Sequence, residues 1–322
     1  MVKKLNKNRK ISIVIATYNG EKYIREQVQS ILNQTVLPNE ILIADDLSTD
    51  NTRSIIMELK KNSIIDIQVN FNTNNLGWKK NFYQLLKQVT GDIIFYCDQD
   101  DIWEKNKIEN ILKIFDREKN INCVMSNYKK IDEFGRYIGD GIKDKKDGYI
   151  LPYDVKLNSA FGCLLAFKKN IKDYLNKIIV TNNDKNIPTD MAISRIAAFN
   201  DGLYFVADKL ILHRFHADNA SNTYVNAKCL SGHNSIDLRI ESVKQEIELT
   251  KLAIKNKCYK YDLYEYKSYL EKRLRILTTG KGIISLLLFS SKVHSAFSII
   301  IGDISYYYKI NKFAGKIYNL IR

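Results

Sequence analysis

Ile93-Ile94-Phe95-Tyr96-Cys97-Asp98-Gln99-Asp100-Asp101 passes without a break from apolar residues into three carboxylates. Five consecutive apolar residues suit a strand buried on both faces, the pattern of a parallel sheet. Acids crowded at the end of such a strand are unfavourable unless positive charge neutralises them. Hard oxygen donors of this kind suit Mg²⁺ or Mn²⁺, and such an ion can in turn hold a diphosphate. A solvated acidic turn has the same composition, so the residues upstream decide between the two.

Ile11 to Ala16 is a second short, β-branched run, and it ends at the turn residues Thr17-Tyr18-Asn19-Gly20. Tyr23, Val28, Ile31 and Leu32 then follow a helical pattern. A strand at Glu40 to Ala44 leads into Asp45-Asp46-Leu47-Ser48-Thr49-Asp50-Asn51-Thr52, where Ser48 or Asp50 can cap a helix through Ile55, Ile56 and Leu59. A third strand is expected from Ile64 to Val69, a turn at Asn74-Asn75-Leu76-Gly77 and a helix from Trp78 to Gln88. Strands alternating with helices predict an α/β fold with a parallel sheet flanked by helices. Ligands of such sheets bind beyond the carboxyl ends of the strands. Tyr18, Asp45, Asp46 and Asp98 to Asp101 all fall at that edge.

Four motifs in order carry a resemblance: Ala16-Thr17-Tyr18-Asn19, Asp45 to Thr52, Asn74-x-x-Gly77-x-x-x-Asn81, and Cys97-Asp98-Gln99-Asp100-Asp101-Ile102-Trp103. Together they resemble family 2 glycosyltransferases with the nucleotide-sugar-binding GT-A fold. The wording of the last motif is most similar to the rhamnosyltransferase-like branch. The resemblance implies a Rossmann-like mixed sheet over residues 1–225. Its nucleotide-sugar half would span about 10–105 and its acceptor half about 106–225, with a helical, basic extension at 226–322.

Carried onto this chain, the resemblance assigns Thr17, Tyr18 and Asn19 to the nucleobase pocket, with Asp46 at the base or ribose. Asn74, Gly77 and Asn81 would shape the nucleoside wall, and Gln99 belongs to the donor-binding set. Asp98 and Asp100 form the metal-motif pair, Asp100 as the direct ligand and Asp98 nearer the ribose. Asp101 either supports the metal from behind or caps the next helix. Asp45, Ser48 and Asp50 have loop-organising and capping roles open to them.

Asp190, in Ile187-Pro188-Thr189-Asp190-Met191, precedes an apolar helix running to Phe199. Family members similarly place a catalytic base at the start of this helix, and a helix N-terminus favours the ionised carboxylate. Asp184 is the nearby competitor. Leu210 to Asn219 resembles the branch's Tyr-Arg-x-His-x-x-Asn ending, with His213 in place of the tyrosine. His216 is thereby a candidate metal ligand and Arg214 a candidate phosphate clamp. Asn158 to Cys163 is the expected acceptor-side wall, where Gly162 allows close backbone approach or a tight turn. Trp103 is either an acceptor platform or a core residue.

The 322 residues can hold one large domain and an appendage. Five scattered cysteines lack paired metal spacing, and Met1 to Lys10 is polar and basic, unlike a secretory leader. Reduced thiols in a cytoplasmic protein are therefore expected. The net charge is +14, and from Ser221 onward 17 basic residues face 8 acidic ones. Ile236, Ile240, Val243, Ile247, Ile254 and Tyr261 predict a helix there. Ile283 to Ile301 approaches the length of a membrane span, but a central Lys292 costs about 2.5–3.5 kcal/mol in the bilayer. A helix at an anionic inner membrane surface and a helical pair packed on the catalytic domain both fit. No zinc finger or RNA-recognition signature appears, so nucleic acid is not an expected partner.

The expected activity is inverting, metal-dependent transfer of a sugar, rhamnose among the candidates, from a UDP- or dTDP-linked donor. The acceptor would be a hydroxyl of a lipid-linked oligosaccharide or other surface-glycan precursor. A non-catalytic sugar-nucleotide binder is the alternative from another class. An aspartyl phosphatase is disfavoured because its nucleophile usually sits on the first strand. A dinucleotide dehydrogenase is disfavoured because Ala16 to Gly20 lacks the glycine fingerprint.

Overall fold

The structure is a computed structural model that describes residues 9–154, 162–180, 187–217, 219 and 235–279. The described residues fall into two compact units, Met1–Ile150 with Ala160–His216, and Leu151–Ser159 with Ala217–Arg322.

The first unit is built on a mixed sheet. Its strands are β1 (Ile11–Thr17), β2 (Glu40–Asp45), β3 (Asp66–Phe71), β4 (Ile93–Cys97), β5 (Ile102–Trp103), β6 (Cys123–Ile131), β7 (Tyr137–Asp140), β8 (Gly148–Tyr149), β9 (Leu165–Lys168) and β10 (Leu203–Arg214). Their order is β3-β2-β1-β4-β9-β6-β10-β5, with β7 on β6 and β8 on β10. Strands β3, β2, β1 and β4 are parallel, and β9 runs antiparallel between β4 and β6. The family resemblance implied such a mixed sheet, and the fold is α/β of the GT-A kind.

Helices α1 (Ile24–Leu32), α2 (Thr52–Asn62), α3 (Trp78–Gln88), α4 (Lys107–Arg117), α5 (Lys169–Val180) and α6 (Thr189–Phe199) accompany the sheet. The four parallel strands form because their β-branched and aromatic residues can be buried on both faces. Ile13, Val14, Ile15, Ile41, Ile43, Ile94, Phe95 and Cys97 are all sealed from solvent. Burying each such side chain stabilises by about 1.5–3 kcal/mol. The third strand begins two residues later than its sequence pattern suggests, because Ile64 lies outside the core at 89% exposure.

Two features of this sheet position the site. Thr17 and Asp45 are register partners, so the loops after β1 and β2 leave the sheet side by side. The long β10 pairs with both β6 and β5 and carries His213 and Arg214 to the same edge as Asp98–Asp101.

In the second unit, α7 (Ser235–Lys255) and α8 (Leu263–Thr279) pack against each other. Val243, Leu249, Ala253, Tyr266, Leu270 and Ile276 on these two helices are buried. The Tyr153 ring lies 5.1 Å from that of Tyr266 and 5.2 Å from that of Tyr269. No described helix is long and apolar enough to cross a membrane. The Ile283–Ile301 run lies outside the described residues.

Candidate active site

The loops after β1 and β2 are knitted by the motif residues themselves. Asn19 is left-handed at φ 46°, a conformation asparagine tolerates. Its backbone N–H donates to Ser48 Oγ at 2.9 Å, and its Oδ1 accepts from Thr49 N at 2.9 Å. Gly20 N donates to Thr52 Oγ1 and Glu21 N to Asp50 Oδ2. Asp45, fully buried, accepts from Thr17, Ser48 and Arg53, so it organises the loop.

Asp46 is also buried, and both its carboxylate oxygens are engaged. Oδ1 accepts from Asn72 Nδ2 at 2.9 Å and Leu76 N at 2.8 Å, while Oδ2 accepts from Gly77 N at 2.8 Å. Gly77 takes φ +77°, which suits a residue without Cβ. Asn81 is buried, donating to Ala44 O and accepting from Asn72. Asn74 and Tyr18 stand exposed at the rim.

Gln99 reaches back across the crevice mouth. Its Oε1 accepts from Tyr18 N at 2.9 Å, and its Nε2 donates to Tyr18 O at 3.0 Å. A Cβ at position 20 would lie 2.4 Å from Gln99 Oε1, which explains the glycine there. Gln99 thus clasps the β1 loop to the acid loop through its side-chain amide.

Asp100 and His216 meet, with His216 Nε2 2.8 Å from Asp100 Oδ2. The Tyr23 ring lies 4.9 Å from the His216 ring and so shields it. Asp98, directly after β4, has its carboxyl pushed up to about 8, first by burial and then by the charges of Asp101 and Asp100. A cation beside it would stabilise the ionised form. The Asp100 carboxylate and the His216 imidazole nitrogen are donors that suit Mg²⁺ or Mn²⁺ chemically, whereas the three-donor cluster that forms among the described residues is Asp101, Cys163 and His213.

Asp101 is fully buried and turns away from that group. Its Oδ1 lies 2.8 Å from His213 Nδ1 and accepts from Arg214 N at 3.1 Å. Burial alone would lower the His213 pKa, but Asp101, then Asp98 and Asp100, push it up to about 9. Burial likewise opposes ionisation of Asp101, yet the His213 charge and hydrogen bond hold its carboxyl below the usual range. Donor atoms of Asp101, Cys163 and His213 all lie within 4.8 Å of one another. Here the Asp101 charge favours the protonated imidazole, and burial pushes the Cys163 thiol far up. A metal at this trio would have to displace both protons, so an ion pair with a neighbouring thiol describes it better.

Arg214 departs from its expected place at a phosphate. It is buried, donating from Nε to Asp100 O at 2.9 Å, from Nη1 to Glu133 O at 3.1 Å and from Nη2 to Glu26 Oε2 at 2.7 Å. The Tyr23 ring covers it at 4.7 Å. Its whole fork is turned into the protein, where it braces the acid loop. Trp103 is buried in the core rather than displayed as a platform.

The expected acceptor side lies where α6 meets β4. Tyr96 OH bonds Thr189 Oγ1, and Tyr83 OH donates to Ile187 O at 3.3 Å, which docks the start of α6 on the sheet. Asp190 stands in the first turn of α6. A Cβ at Gly162 would lie 2.7 Å from the Tyr96 ring and 3.5 Å from Asp190 Cβ, so this glycine does permit a close approach. Burial pushes the Asp190 carboxyl up to about 6, against the lowering effect of Met191 N–H and Lys79. The helix N-terminus alone predicts a lower value, but desolvation wins. Asp184 lies outside the described residues, as do residues 155–161 of the expected acceptor wall.

Lys107 was not legible as a site residue. At the start of α4 and 1% exposed, it donates from Nζ to Cys163 O at 3.0 Å and sits 3.7 Å from the Trp103 ring centre. A lysine among Glu104, Lys105 and Asn106 carries no mark of burial in the sequence.

Residues 12–179 match the family model described as glycosyl transferase family 2. The chain belongs to glycosyl transferase family 2. Among curated family members it is 35% identical over 228 residues to the dTDP-rhamnosyl transferase RfbG of Shigella flexneri, covering 66% of this chain and 75% of that one. It is 32% identical over 155 residues to an Escherichia coli UDP-Glc:alpha-D-GlcNAc-diphosphoundecaprenol beta-1,3-glucosyltransferase, WfgD, covering 48% of this chain and 58% of that one. Among solved structures, S. aureus TarS 1–349 in complex with UDP-GlcNAc superposes with a TM-score of 0.58 at 16% identity, covering 92% of this chain and 81% of that one. That likeness is one of fold. As a family 2 glycosyltransferase, the chain is a transferase with its acid motif at the sheet edge.

Proposed function

We propose that this enzyme transfers a sugar, with inversion, from a UDP- or dTDP-linked donor to a hydroxyl of a lipid-linked surface-glycan precursor. Rhamnose is the first candidate sugar, supported by the name of the Shigella relative; the lipid-linked acceptor is supported by that of WfgD. The observation that carries the reading is the docking of the start of α6, which holds Asp190, on Tyr96 of β4, the strand that runs into Asp98: the Tyr96 hydroxyl bonds Thr189 Oγ1.

The loops clasped by Asn19, Asp46 and Gln99 bind and orient the nucleoside. A divalent cation held by Asp98, Asp100 and His216 would supply Lewis-acid stabilisation of the diphosphate leaving group. Asp190 Oδ1 accepts the Met191 N–H at 2.8 Å, which orients the carboxylate that takes the proton of the acceptor hydroxyl. The acceptor oxygen then bonds to the anomeric carbon from the face opposite the diphosphate, and the bond to the diphosphate breaks. A carboxyl with a pKa of about 6 is ionised roughly ten to one at pH 7, yet is more basic than an ordinary aspartate. The direct test is a panel of UDP-, dTDP- and GDP-sugars scored for thermal stabilisation and transfer, with and without Mn²⁺. Stabilisation by none of them under either condition contradicts the reading.

A further inference from the structure

Arg53, the second residue of α2, lies just outside the motifs that mark the site. Its guanidinium nevertheless joins the ends of β2 and β3. Nε donates to the buried Asp45 Oδ2 at 2.6 Å, and Nη2 donates to the Asn72 carbonyl at 3.0 Å. The ring of Phe71, the last residue of β3, has its centre 5.1 Å from Cζ. Two chains of hydrogen bonds leave this point. The first passes through Asp45 to Ser48, whose Oγ accepts from Asn19 N, and so reaches the turn that carries Tyr18. The second passes through Asn72, whose Nδ2 donates to Asp46 Oδ1 at 2.9 Å and to Asn81 Oδ1 at 3.0 Å. Asp46 in turn fixes the backbone N–H groups of Leu76 and Gly77. One side chain is thus bonded to both networks that shape the loops after β1, β2 and β3.

We propose that Arg53 is a positioning residue for the donor's nucleoside: it holds the loop after β3 in register with the loop after β2, and so sets nucleotide affinity rather than turnover. The proposal rests on the nucleoside reading of these loops given above. Two demands on the side chain can be told apart. The buried Asp45 carboxylate needs a positive charge beside it, and a lysine can supply that. The simultaneous bond to a carbonyl of the next loop uses the planar, two-donor edge that only a guanidinium offers. A merely structural arginine serves the first demand, whereas a positioning arginine serves the second.

The test measures UDP and dTDP affinity by calorimetry, with Mn²⁺ present throughout, together with melting temperature. It compares the full chain with its Arg53→Lys, Asn72→Ala and doubly substituted variants. Alanine at position 72 removes the amide that reaches Asp46 and Asn81 but leaves the carbonyl that Arg53 holds. Arg53→Lys should melt close to wild type yet bind the preferred nucleotide about fivefold or more weakly, the loss of one hydrogen bond from a charged donor. Asn72→Ala should also weaken binding, and adding Arg53→Lys to it should cost little more, because both act on one path. With a sugar nucleotide that the enzyme turns over, Arg53→Lys should raise KM and leave kcat nearly unchanged. Wild-type affinity in Arg53→Lys overturns the proposal, as do losses that multiply in the double variant. An Arg53→Lys chain that does not fold, or whose affinity falls only in step with its melting temperature, makes the arginine structural and overturns it too. If the wild type binds neither UDP nor dTDP, the nucleoside reading fails first and this inference fails with it.

Discussion

His213 Nδ1 and Asp101 Oδ1 are 2.8 Å apart, and both side chains are buried beneath the acid loop. This pair ties the end of β10 to the acid loop that follows β4.

Replacing His213 by Phe strands a buried carboxylate. The expected loss of stability is about 3–5 kcal/mol, measured by urea unfolding, and the double variant D101N/H213F should recover much of it. A single-variant loss below about 1 kcal/mol would show that the pair is not a buried ion pair.

Asp190→Asn should retain donor binding by calorimetry while kcat falls by ~10²–10⁴-fold, the usual contribution of a general base. Gly162→Ala provides a geometric companion, because its Cβ would press on the Tyr96 ring and displace α6. It too should lower kcat more than donor affinity. Activity of Asp190→Asn within about twofold of wild type would remove Asp190 from the mechanism.

Asp46→Ala releases Asn72, Leu76 and Gly77 at once. Unmaking bonds to a buried carboxylate costs about 1–3 kcal/mol, and the freed turn should raise the donor KM about tenfold with a smaller change in kcat. Steady-state kinetics at varied donor decide this. An unchanged KM would mean that the turn does not border the nucleoside.

The pH dependence of stability has a definite sign. Asp98 and His213 both have folded pKa values above their ordinary ones, at about 8 and about 9. The native state therefore binds more protons than the unfolded state across neutral and mildly alkaline pH, and stability falls as pH rises. Asp101, held low, acts in the opposite sense but only in acid. Metal-free protein should thus melt at a lower temperature at about pH 8.5 than at about pH 6. Mn²⁺ should stabilise increasingly with pH, because its ligands must be deprotonated. Melting temperatures that rise toward pH 8.5 without metal would contradict the buried-acid geometry.

The sequence made the donor half readable because parallel strands buried on both faces appear as unbroken apolar runs. Ile93–Cys97 and Trp78–Gln88 fall where the pattern predicts. Much of the acceptor half was harder. Strand β6 carries Ser126, Asn127, Lys129 and Lys130 within its run, and β7 displays Tyr137 and Ile138 to solvent, so neither shows an unbroken apolar signature. Motif residues disclosed where the site lies but not which way their side chains turn. Arg214 and Asn81 face inward because buried carbonyls need donors. Lys107 escaped notice because a lysine's burial depends on partners far along the chain.

The central claim is that Asp98, Asp100 and His216 hold a divalent cation that grips the donor's diphosphate. Calorimetric titration of UDP and dTDP into metal-free protein, then into Mn²⁺-loaded protein, tests it most directly, with Asp100→Asn as the control. The account predicts that Mn²⁺ tightens binding of one nucleotide by about tenfold or more, ~1.4 kcal/mol, in the wild type but not in Asp100→Asn. Identical nucleotide affinity with and without Mn²⁺ would contradict it.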